Sequence, residues 1–298
     1  MSTITADKVK ELREKSGAGM MECKKALEQN AGDLDAAMKW LREKGAASAE
    51  KKAGRATAEG LVDFRVAGAK GVIVEVNCET DFVAKTEPFL ALVASAADAA
   101  VKAALPAEPA AAAAALAAEK AADGQTLDAR VKAAIAGLGE NMALARVASL
   151  GVKQGLLGSY RHSDGKLAAL VAVECGKADS AAKPEVLELA KNLAMQVAGN
   201  LPPAEVVSRE QISPELVARE KEIAVTQARL AGAGKPQAII DKIAEGKINK
   251  VLQEITLLEQ PFIMDTDVKI ADLLKQAGAK VGDTLTIGGF ARLKVGVK

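Results

Sequence analysis

The feature that most constrains this fold is a repeated pattern of alternating apolar residues. Residues 71–78 read Gly-Val-Ile-Val-Glu-Val-Asn-Cys, and residues 168–175 read Ala-Ala-Leu-Val-Ala-Val-Glu-Cys. Alternation with a period of two is typical of β-strands. In the first copy, a further strand at 61–66 and a turn at 67–71 precede this segment. In the second copy, the strand is at 156–162 and the turn at 163–166. The chain is therefore predicted to contain two strand–turn–strand units.

A helix is predicted after each strand pair, over residues 80–104 in the first copy and 184–198 in the second. The shared strand–turn–strand–helix order favours duplication over a chance match of two amphipathic strands. The expected fold class is α+β, with two duplicated hairpin-plus-helix subdomains. The copies differ directly after the second strand, where one reads Thr80-Asp-Phe-Val83 and the other Gly176-Lys-Ala-Asp179. A difference at a shared position indicates function rather than fold.

Three short helices are predicted before the first strand pair. Thr5 is expected to cap the first helix, the second covers 20–29, and the third begins near Asp33 and ends at Gly45. Residues 46–60, rich in Ala, Lys and Glu, are interpreted as a linker or a solvated helix. Helices this short need partners, because three of them bury little apolar surface.

A helical hairpin is predicted over residues 208–255, with a break at Gly232-Ala-Gly-Lys-Pro236. Because such an arm cannot bury both of its apolar seams on itself, we expect it to project and to meet a second copy of the chain. The alternative is that the arm packs flat on its own body. Its apolar positions are Leu216, Ile223 and Leu230 at intervals of seven in the first helix, and Ile240, Ala244, Ile248, Val251 and Ile255 in the second.

The remaining segments complete a predicted division into domains. The Ala/Pro-rich stretch 105–125 is interpreted as a helical or loosely ordered insertion without chemistry. The tail is predicted to hold a helix at 270–276 and strands at 284–287 and 291–297. The expected domains are a three-helix domain with its linker at 1–55, an N-terminal core subdomain at 56–148, a C-terminal core subdomain at 149–207 and 257–298, and the arm at 208–256.

Size and charge exclude several classes of protein. A chain of 298 residues exceeds what one compact core usually holds. Its 40 basic and 39 acidic residues give a net charge of +1, so no direct nucleic-acid partner is expected. The apolar run 110–118 is too short to span a bilayer, and Asp7 and Glu11 stand where a signal peptide would be apolar. A cytoplasmic protein without a membrane partner is therefore expected.

Catalytic and metal-binding motifs are missing from the sequence. The three cysteines, Cys23, Cys78 and Cys175, match no CxxC spacing, and His162 is the single histidine. The nearest match to a phosphate-binding loop, Gly234-Lys235, is followed by Pro236 and lacks the first glycine. No metal, no cofactor and no covalent catalysis are expected. Cys78 and Cys175 are predicted to pack on the core faces of their strands.

Four segments occur in an order that resembles one known family. They cover nearly the whole chain together with the repeat and the arm: Ser16-Gly-Ala-Gly-Met-Met-Glu-Cys-Lys-Lys-Ala-Leu27, Asn77-Cys-Glu-Thr-Asp-Phe-Val-Ala-Lys85, Gly158-Ser-Tyr-Arg-His162 and Gln260-Pro-Phe-Ile-Met264. The sequence closely resembles the bacterial translation elongation factor Ts family. The resemblance implies a guanine-nucleotide exchange factor for elongation factor Tu. It also implies a ubiquitin-associated-like N-terminal domain, two related core subdomains and a coiled-coil arm.

The resemblance also implies which residues act on the partner. Thr80, Asp81, Phe82 and Val83 match the segment associated with Mg²⁺ dislocation from the GTPase. The implied partner contacts are Arg13, Met20, Met21, Lys24, His162, Ile263 and Met264. The implied sequence of events is binding of the GDP-bound partner, displacement of Mg²⁺, release of GDP, and displacement of the factor by GTP. Contacts made by the helical C-terminal module of some family members have no counterpart after the strand-like tail.

The same residues also have purely structural interpretations. Thr80 can be an N-cap, Asp81 a first-turn acid favoured by the helix dipole, and Phe82 a core residue near Phe89. Without the resemblance, these residues favour that interpretation over an apolar wedge. His162 is equally compatible with a structural histidine. Met20 and Met21 cannot both face inward on one short helix, so at least one is predicted to lie at the surface.

Two alternative functions remain open at this point. The first is a ubiquitin-like-binding or chaperone adaptor that recruits clients through the three-helix domain and dimerises through the arm. The second is a small-molecule enzyme with Cys78 as a reactive thiol. Neither alternative explains why the Asp-Phe pair is present in only one copy of the repeat.

Overall fold

The computed structural model describes residues 4–121, 124–231 and 236–297. Helices and strands occur in separate runs, as in an α+β protein, which confirms the fold class expected from the sequence. The helices are α1 (Ala6–Ser16), α2 (Met20–Gln29), α3 (Leu34–Lys52), α4 (Asp81–Ala84), α5 (Glu87–Ala100), α6 (Pro109–Ala117), α7 (Leu127–Leu138), α8 (Pro184–Gly199), α9 (Pro214–Ala231), α10 (Gln237–Ile255) and α11 (Ile270–Val281). The strands are β1 (Glu59–Ala67), β2 (Lys70–Cys78), β3 (Met142–Gly151), β4 (Gly155–Arg161), β5 (Leu167–Cys175), β6 (Pro261–Phe262), β7 (Asp265–Lys269) and β8 (Leu285–Lys294).

The chain forms two compact units. The first comprises Met1–Ser149, Arg161–Ala168 and Arg292–Lys298, and the second comprises Leu150–Tyr160 and Ala169–Ala291. The three-helix segment thus belongs to the same unit as the first strand pair. The finer division into five segments stays a prediction.

The first unit begins with three helices around a small aliphatic core. Thr5 caps α1 as predicted, because its hydroxyl accepts a hydrogen bond from the Lys8 amide, and Gly17 ends the helix at φ 69°. The predicted end of α3 at Gly45 is wrong, since the helix continues to Lys52. Gly45 is buried where α3 contacts α7, and a Cβ there would lie 3.5 Å from the carbonyl oxygen of Lys132. This is an ordinary contact distance, so α3 passes through Gly45, and residues 46–52 are helix, one of the two predicted alternatives.

The first sheet has the order β1-β2-β3. β1 and β2 form the predicted hairpin, with Ala67 opposite Lys70 across the turn. β2 lies in the middle and is buried on both faces, so Ile73 and Glu75 are as inaccessible as the alternating valines. Arg146 of β3 neutralises the buried Glu75 through its Nε, 2.7 Å from Oε2.

The helix predicted over 80–104 is wrong in one respect, because it is interrupted. α4 ends at Ala84, and α5 begins at Glu87 with Pro88 in its first turn. Proline fits a first helical turn but has no amide hydrogen to donate to the carbonyl oxygen four residues back, that of Ala84, so α4 does not continue through it. The apolar positions Phe89, Leu92 and Val93 are buried as predicted.

The Ala/Pro-rich insertion is helical in its middle part. α6 buries Ala112, Ala113 and Leu116 in the core beneath the first sheet, so this stretch contributes packing. The sequence analysis did not identify α7 or β3, which follow it. α7 buries Leu127 and Ile135 in the same core and ends at Gly139 with φ 83°.

The second sheet has the order β4-β5-β8. The two tail strands predicted at 284–287 and 291–297 are one continuous strand, β8, and the helix predicted at 270–276 extends to Val281. β8 continues through Gly288, which lies beside the Glu174 side chain: a Cβ on this residue would be 2.8 Å from Glu174 Oε1.

The two strand pairs that the sequence analysis interpreted as copies share several features in the structure. β2 and β5 have the same length and the same pattern of buried residues. Gly60 and Gly155 open the first strand of each pair with φ 149° and 147°, and each lies against the carbonyl oxygen of the central strand. In both copies a later helix, α7 or α11, ends in a left-handed glycine before the third strand.

α9 and α10 contact each other, and the apolar pattern predicted for the second helix is confirmed in part. Ala224, Ala228 and Ala244 are buried between the helices, and the predicted Ile240 and Ile248 pack against them. Ile223 and Leu230, predicted as seam residues, are exposed instead, Leu230 by 78%. Small residues let the helices approach closely and direct the larger side chains outward. The predicted break lies mostly outside the described residues, which resume at Pro236, the N-cap of α10.

Candidate functional site

The Thr80–Val83 segment forms a single helical turn at the end of the central strand of the first sheet. Thr80 is the N-cap of α4, and its hydroxyl accepts a hydrogen bond from the Val83 amide at 3.4 Å. Phe82 is 79% exposed, so its interpretation as a core residue is wrong. Val83 is partly buried and packs on the core, which leaves Phe82 as the apolar side chain that this turn presents to solvent.

Asp81 is held on the same turn by a lysine. Its Oδ2 accepts a hydrogen bond from Lys85 Nζ at 2.7 Å, an i,i+4 ion pair. This hydrogen bond lowers the pKa of the Asp81 carboxyl below its ordinary value. The carboxylate is therefore ionised beside Phe82 at neutral pH, and it lies in the first turn, where the helix dipole favours it.

Glu140, which the sequence analysis missed, holds the start of this turn with both carboxylate oxygens. Oε1 accepts a hydrogen bond from the Thr80 hydroxyl at 2.6 Å, and Oε2 accepts one from the Thr80 amide at 3.0 Å. The Thr80 carbonyl oxygen also accepts a hydrogen bond from the buried Cys78 thiol at 3.1 Å.

The equivalent junction in the second copy has another chemistry. After β5 the chain forms a 3-10 helix, Ala178–Ala182, and the exposed Asp179 stands where the repeat alignment places Phe82. The Lys177 amide donates to Asp283 Oδ2 at 2.9 Å, and the other oxygen of Asp283 accepts from the Thr284 amide. The backbone is thus fixed similarly, but an acid replaces the aromatic side chain.

The predicted partner contacts of the three-helix segment all lie at the surface of the first unit. Met20 and Met21 occupy the start of α2, and both are exposed, Met21 by 73%. Arg13 in the last turn of α1 and Lys24 are exposed as well. Two neighbouring methionines without core contacts form an adaptable apolar surface with a basic border.

His162 lies in the first unit, although the sequence analysis placed it in the C-terminal subdomain. It follows β4 at the tip of a hairpin, where its Nδ1 lies 3.0 Å from Asp164 Oδ1. The hairpin tip is held against β1, because the Val62 amide donates to the Gly165 carbonyl oxygen at 2.8 Å. The imidazole itself remains about half exposed.

Ile263 and Met264 form the two-residue turn between β6 and β7 in the second unit. Both are exposed, Met264 by 66%. The turn is fixed by the buried Gln196, whose Nε2 donates to Gln260 Oε1 at 3.1 Å and whose Oε1 accepts from the Ile263 amide at 2.8 Å. Apolar residues at a hairpin turn are unusual, since such turns favour Gly, Asn and Asp.

The cysteines are unsuited to nucleophilic chemistry. Cys78 and Cys175 are buried as predicted, and so is Cys23. Burial, with the negative charges of Glu140 and Glu59 next in importance, raises the pKa of the Cys78 thiol to about 12. Since the thiolate is the nucleophile, the structure contradicts the alternative of a Cys78 enzyme.

The described part of the chain contains neither a metal-binding cluster nor a membrane-spanning helix. Among residues 4–121, 124–231 and 236–297, no three His, Cys, Asp or Glu side chains are grouped so that they could hold a metal ion. Within the same ranges, no helix has the length and apolarity needed to cross a membrane.

The fold and the exposed residues define an α+β protein that presents apolar side chains on fixed turns. The family model described as Elongation factor TS matches residues 79–297. Elongation factor Ts of Nitratidesulfovibrio vulgaris (strain DP4) is 45% identical over 296 residues, covering 98% of this chain and 96% of that protein. The same factor from Rhodospirillum rubrum is 44% identical over 302 residues, covering 99% and 94%. In Nostoc sp. (strain PCC 7120) it is 42% identical over 300 residues, covering 99% and 93%.

This chain belongs to the elongation factor Ts family. The expected resemblance is thereby confirmed, and the protein is a translation elongation factor by family. The adaptor function receives no support from these relatives.

Proposed function

We propose that this chain is a guanine-nucleotide exchange factor that acts on elongation factor Tu during translation elongation. The observation that carries the proposal is Phe82, a 79% exposed aromatic side chain on a turn held by Glu140. Large apolar side chains on rigid supports are typical anchors of protein interfaces. The second copy has Asp179 at this place, so the fold itself does not require an aromatic residue there.

The mechanism follows from how a GTPase holds its nucleotide. Such a protein binds GDP through a phosphate-binding loop and a Mg²⁺ ion at the β-phosphate, so displacement of the metal weakens the complex. Phe82 inserts between elements of the partner, Asp81 competes for polar groups near the metal, and Thr80 and Val83 fix the turn. The chain thereby removes Mg²⁺ from its site and promotes the release of GDP.

The cycle is closed by reciprocal coupling. A factor that binds the nucleotide-free partner most tightly weakens nucleotide binding by the same factor by which nucleotide weakens its own binding. GTP therefore displaces the chain after GDP has left. This cycle requires no acid, base or nucleophile, so the chain needs no cofactor and performs no covalent chemistry.

Three further surfaces hold the partner in this proposal. Arg13, Met20, Met21 and Lys24 contact the nucleotide-binding domain of elongation factor Tu. His162 contacts another domain of the partner, and the turn Ile263 and Met264 provides an additional contact. Their exposure supports these roles, because a contact residue must be accessible in the free protein.

The finer architecture is also part of the proposal. The three N-terminal helices form a ubiquitin-associated-like domain, α9 and α10 form a projecting antiparallel coiled-coil arm, and the site of action is the cytoplasm. The arm joins two copies into a homodimer. The exposed side chains Ile223, Leu230 and Ile239 support this last point, since α9 and α10 leave them uncovered.

The exchange function is tested by the release of fluorescent GDP from purified elongation factor Tu. The wild-type chain is expected to accelerate release strongly at catalytic concentrations. The Phe82→Ala variant is expected to lose most of this acceleration. Acceleration that survives the substitution would place the activity elsewhere in the chain, and no acceleration by the wild type would contradict the proposed function.

The homodimer is tested by sedimentation equilibrium of the isolated chain. The wild type is expected to show a concentration-dependent mass above 30.7 kDa. A Leu230→Glu substitution is expected to shift the equilibrium towards the monomer, because it places a charge on an apolar interface. A wild type that remains monomeric at every concentration would contradict dimerisation.

A further inference from the structure

The contact between Glu140 and Thr80 suggests a role beyond folding. We propose that Glu140 is a positioning residue that directs Phe82 towards the partner by holding Thr80. The proposal rests on the exchange function proposed above. Both oxygens of the carboxylate are engaged by Thr80, one by the hydroxyl at 2.6 Å and one by the amide at 3.0 Å. Hydrogen bonds to a charged acceptor are stronger than neutral ones, so this pair fixes Thr80 firmly.

The Thr80 hydroxyl passes this constraint on to α4. The hydroxyl donates its single hydrogen to Glu140 Oε1. The lone pairs of the Thr80 oxygen therefore point towards the free amides of the helix. It can then accept the hydrogen bond from the Val83 amide at 3.4 Å, which closes the turn around Phe82. The orientation of the hydroxyl, and with it the cap of α4, is therefore set by Glu140.

A helix as short as α4 needs such support. It contains four residues, and the first turn of a helix is unfavourable until further turns compensate for its ordering. Phe82 cannot stabilise the turn, because its side chain is largely exposed. Holding the turn in place before binding reduces the ordering cost at the interface.

Glu140 is itself fixed by its neighbours in sequence. It follows Gly139, the left-handed cap of α7, and precedes the buried Asn141. The Asn141 amide donates to Glu79 Oε1 at 2.5 Å, and the Asn141 side chain donates to the Arg55 carbonyl oxygen at 2.8 Å. The carboxylate therefore projects from a rigid junction next to the end of β2.

The second copy separates the structural part of this contact from the functional part. In the second copy, Asp283 also accepts a hydrogen bond from a backbone amide, that of Lys177. Like Glu140, Asp283 directly follows the left-handed glycine that ends a helix, here Gly282 of α11. Its other oxygen accepts from the Thr284 amide, whereas Glu140 engages the Thr80 hydroxyl with its second oxygen. The backbone contact belongs to the duplicated fold, and the hydroxyl contact occurs in the copy that carries the exposed phenylalanine.

A double-mutant cycle tests the proposal with the release of fluorescent GDP from elongation factor Tu. Glu140→Ala is expected to reduce the acceleration roughly tenfold, the loss of a charge-assisted hydrogen bond that holds a contact residue. In the Phe82→Ala background, the same substitution is expected to have much less effect, because the main contact side chain that Glu140 positions is absent. An unchanged activity of Glu140→Ala, or an equal loss in both backgrounds, would overturn the proposal.

Two control variants distinguish positioning from general stability. Glu140→Gln keeps one acceptor oxygen and is expected to retain activity between those of the wild type and Glu140→Ala. Asp283→Ala removes the corresponding contact in the copy without the aromatic residue, and is expected to change GDP release less than twofold. A loss in Asp283→Ala as large as that in Glu140→Ala would show that only overall stability is involved.

Hydrogen exchange of the free chain gives a readout that does not depend on the partner. In Glu140→Ala, the amides of Thr80 and Val83 are expected to exchange faster, while those of the buried strand β2 stay protected. Unchanged protection at Thr80 would overturn the proposed contact. If the wild type fails to accelerate GDP release, the exchange function is contradicted, whereas hydrogen exchange still decides whether Glu140 holds this turn.

Discussion

The central strands of the two copies, β2 and β5, end in the same way, but the segments that follow them differ. Each central strand ends in a buried cysteine, and two residues later a carboxylate from another element accepts a backbone hydrogen bond, Glu140 in one copy and Asp283 in the other. Beyond this point the first copy presents Phe82 and the second Asp179, both exposed. The carboxylate support is thus common to both strand pairs, and the exposed aromatic side chain is specific to the first.

The largest effect is expected where the two copies are most alike. Gly60→Ala and Gly155→Ala each place a Cβ against the carbonyl oxygen of the central strand, at a positive φ that disfavours side chains. Each substitution is expected to destabilise the protein by about 3 kcal/mol through strain and overlap. Urea unfolding measures this, with Gly246→Ala as a control, since its Cβ meets nothing within 4 Å. Destabilisation by only one of the two substitutions would contradict the equivalence of Gly60 and Gly155 in the two strand pairs.

The next effect is expected where the copies differ. Phe82→Asp gives the first copy the residue of the second, and is expected to reduce the acceleration of GDP release about 30-fold, the cost of losing an interface anchor. The free energy of unfolding should change by less than about 0.5 kcal/mol, because Phe82 is exposed. Asp179→Ala is the matched control, with GDP release expected to remain close to the wild-type rate. Similar losses in both variants would remove the functional distinction between the copies.

A smaller effect concerns the shared cysteines. With a pKa of about 12, the Cys78 thiol is neutral at pH 8, so Ellman's reagent is expected to modify it in the folded protein at least tenfold more slowly than in urea. The pKa of the Cys175 thiol is also raised, chiefly by burial, so this thiol is also expected to react slowly in the folded protein. Rapid modification of native Cys78 would contradict its burial.

The same shift predicts a dependence of stability on pH. The pKa of the folded thiol lies above the ordinary value of 9.0, so its contribution to stability is complete below that value. It is lost as the pH rises from about 9 towards 12, because the unfolded chain releases the proton first. Urea unfolding of wild type and Cys78→Ala across this range should show a steeper loss for the wild type. Parallel curves would contradict the raised pKa.

Much of the fold could be predicted because local chemistry agrees with the tertiary structure. Thr5, Gly17 and the alternation in β2 and β5 are strong local signals, and the structure has the elements they predict. The misread positions depend on distant partners. Gly45 looks like a helix end but lies inside α3, where this helix packs on α7. Gly288 looks like a break in β8 but lies within the strand, beside the Glu174 side chain.

The candidate site was only partly visible in the sequence. The difference between the copies drew attention to Phe82, yet its exposure could not be read from a pattern that also fits a core position near Phe89. Glu140 was missed because its role depends on a contact 60 residues away in sequence. The apolar face of α9 was misread for a similar reason, since Ile223 and Leu230 face solvent while Ala224 and Ala228 are buried against α10.

The most direct test of the central claim is GDP release measured with and without Mg²⁺. If Phe82 acts by displacing the metal, wild type and Phe82→Ala should differ strongly when Mg²⁺ is present. The difference should nearly disappear when a chelator has already removed the metal from elongation factor Tu. A ratio between the two rates that stays the same with and without Mg²⁺ would contradict the claim that Phe82 acts through the metal.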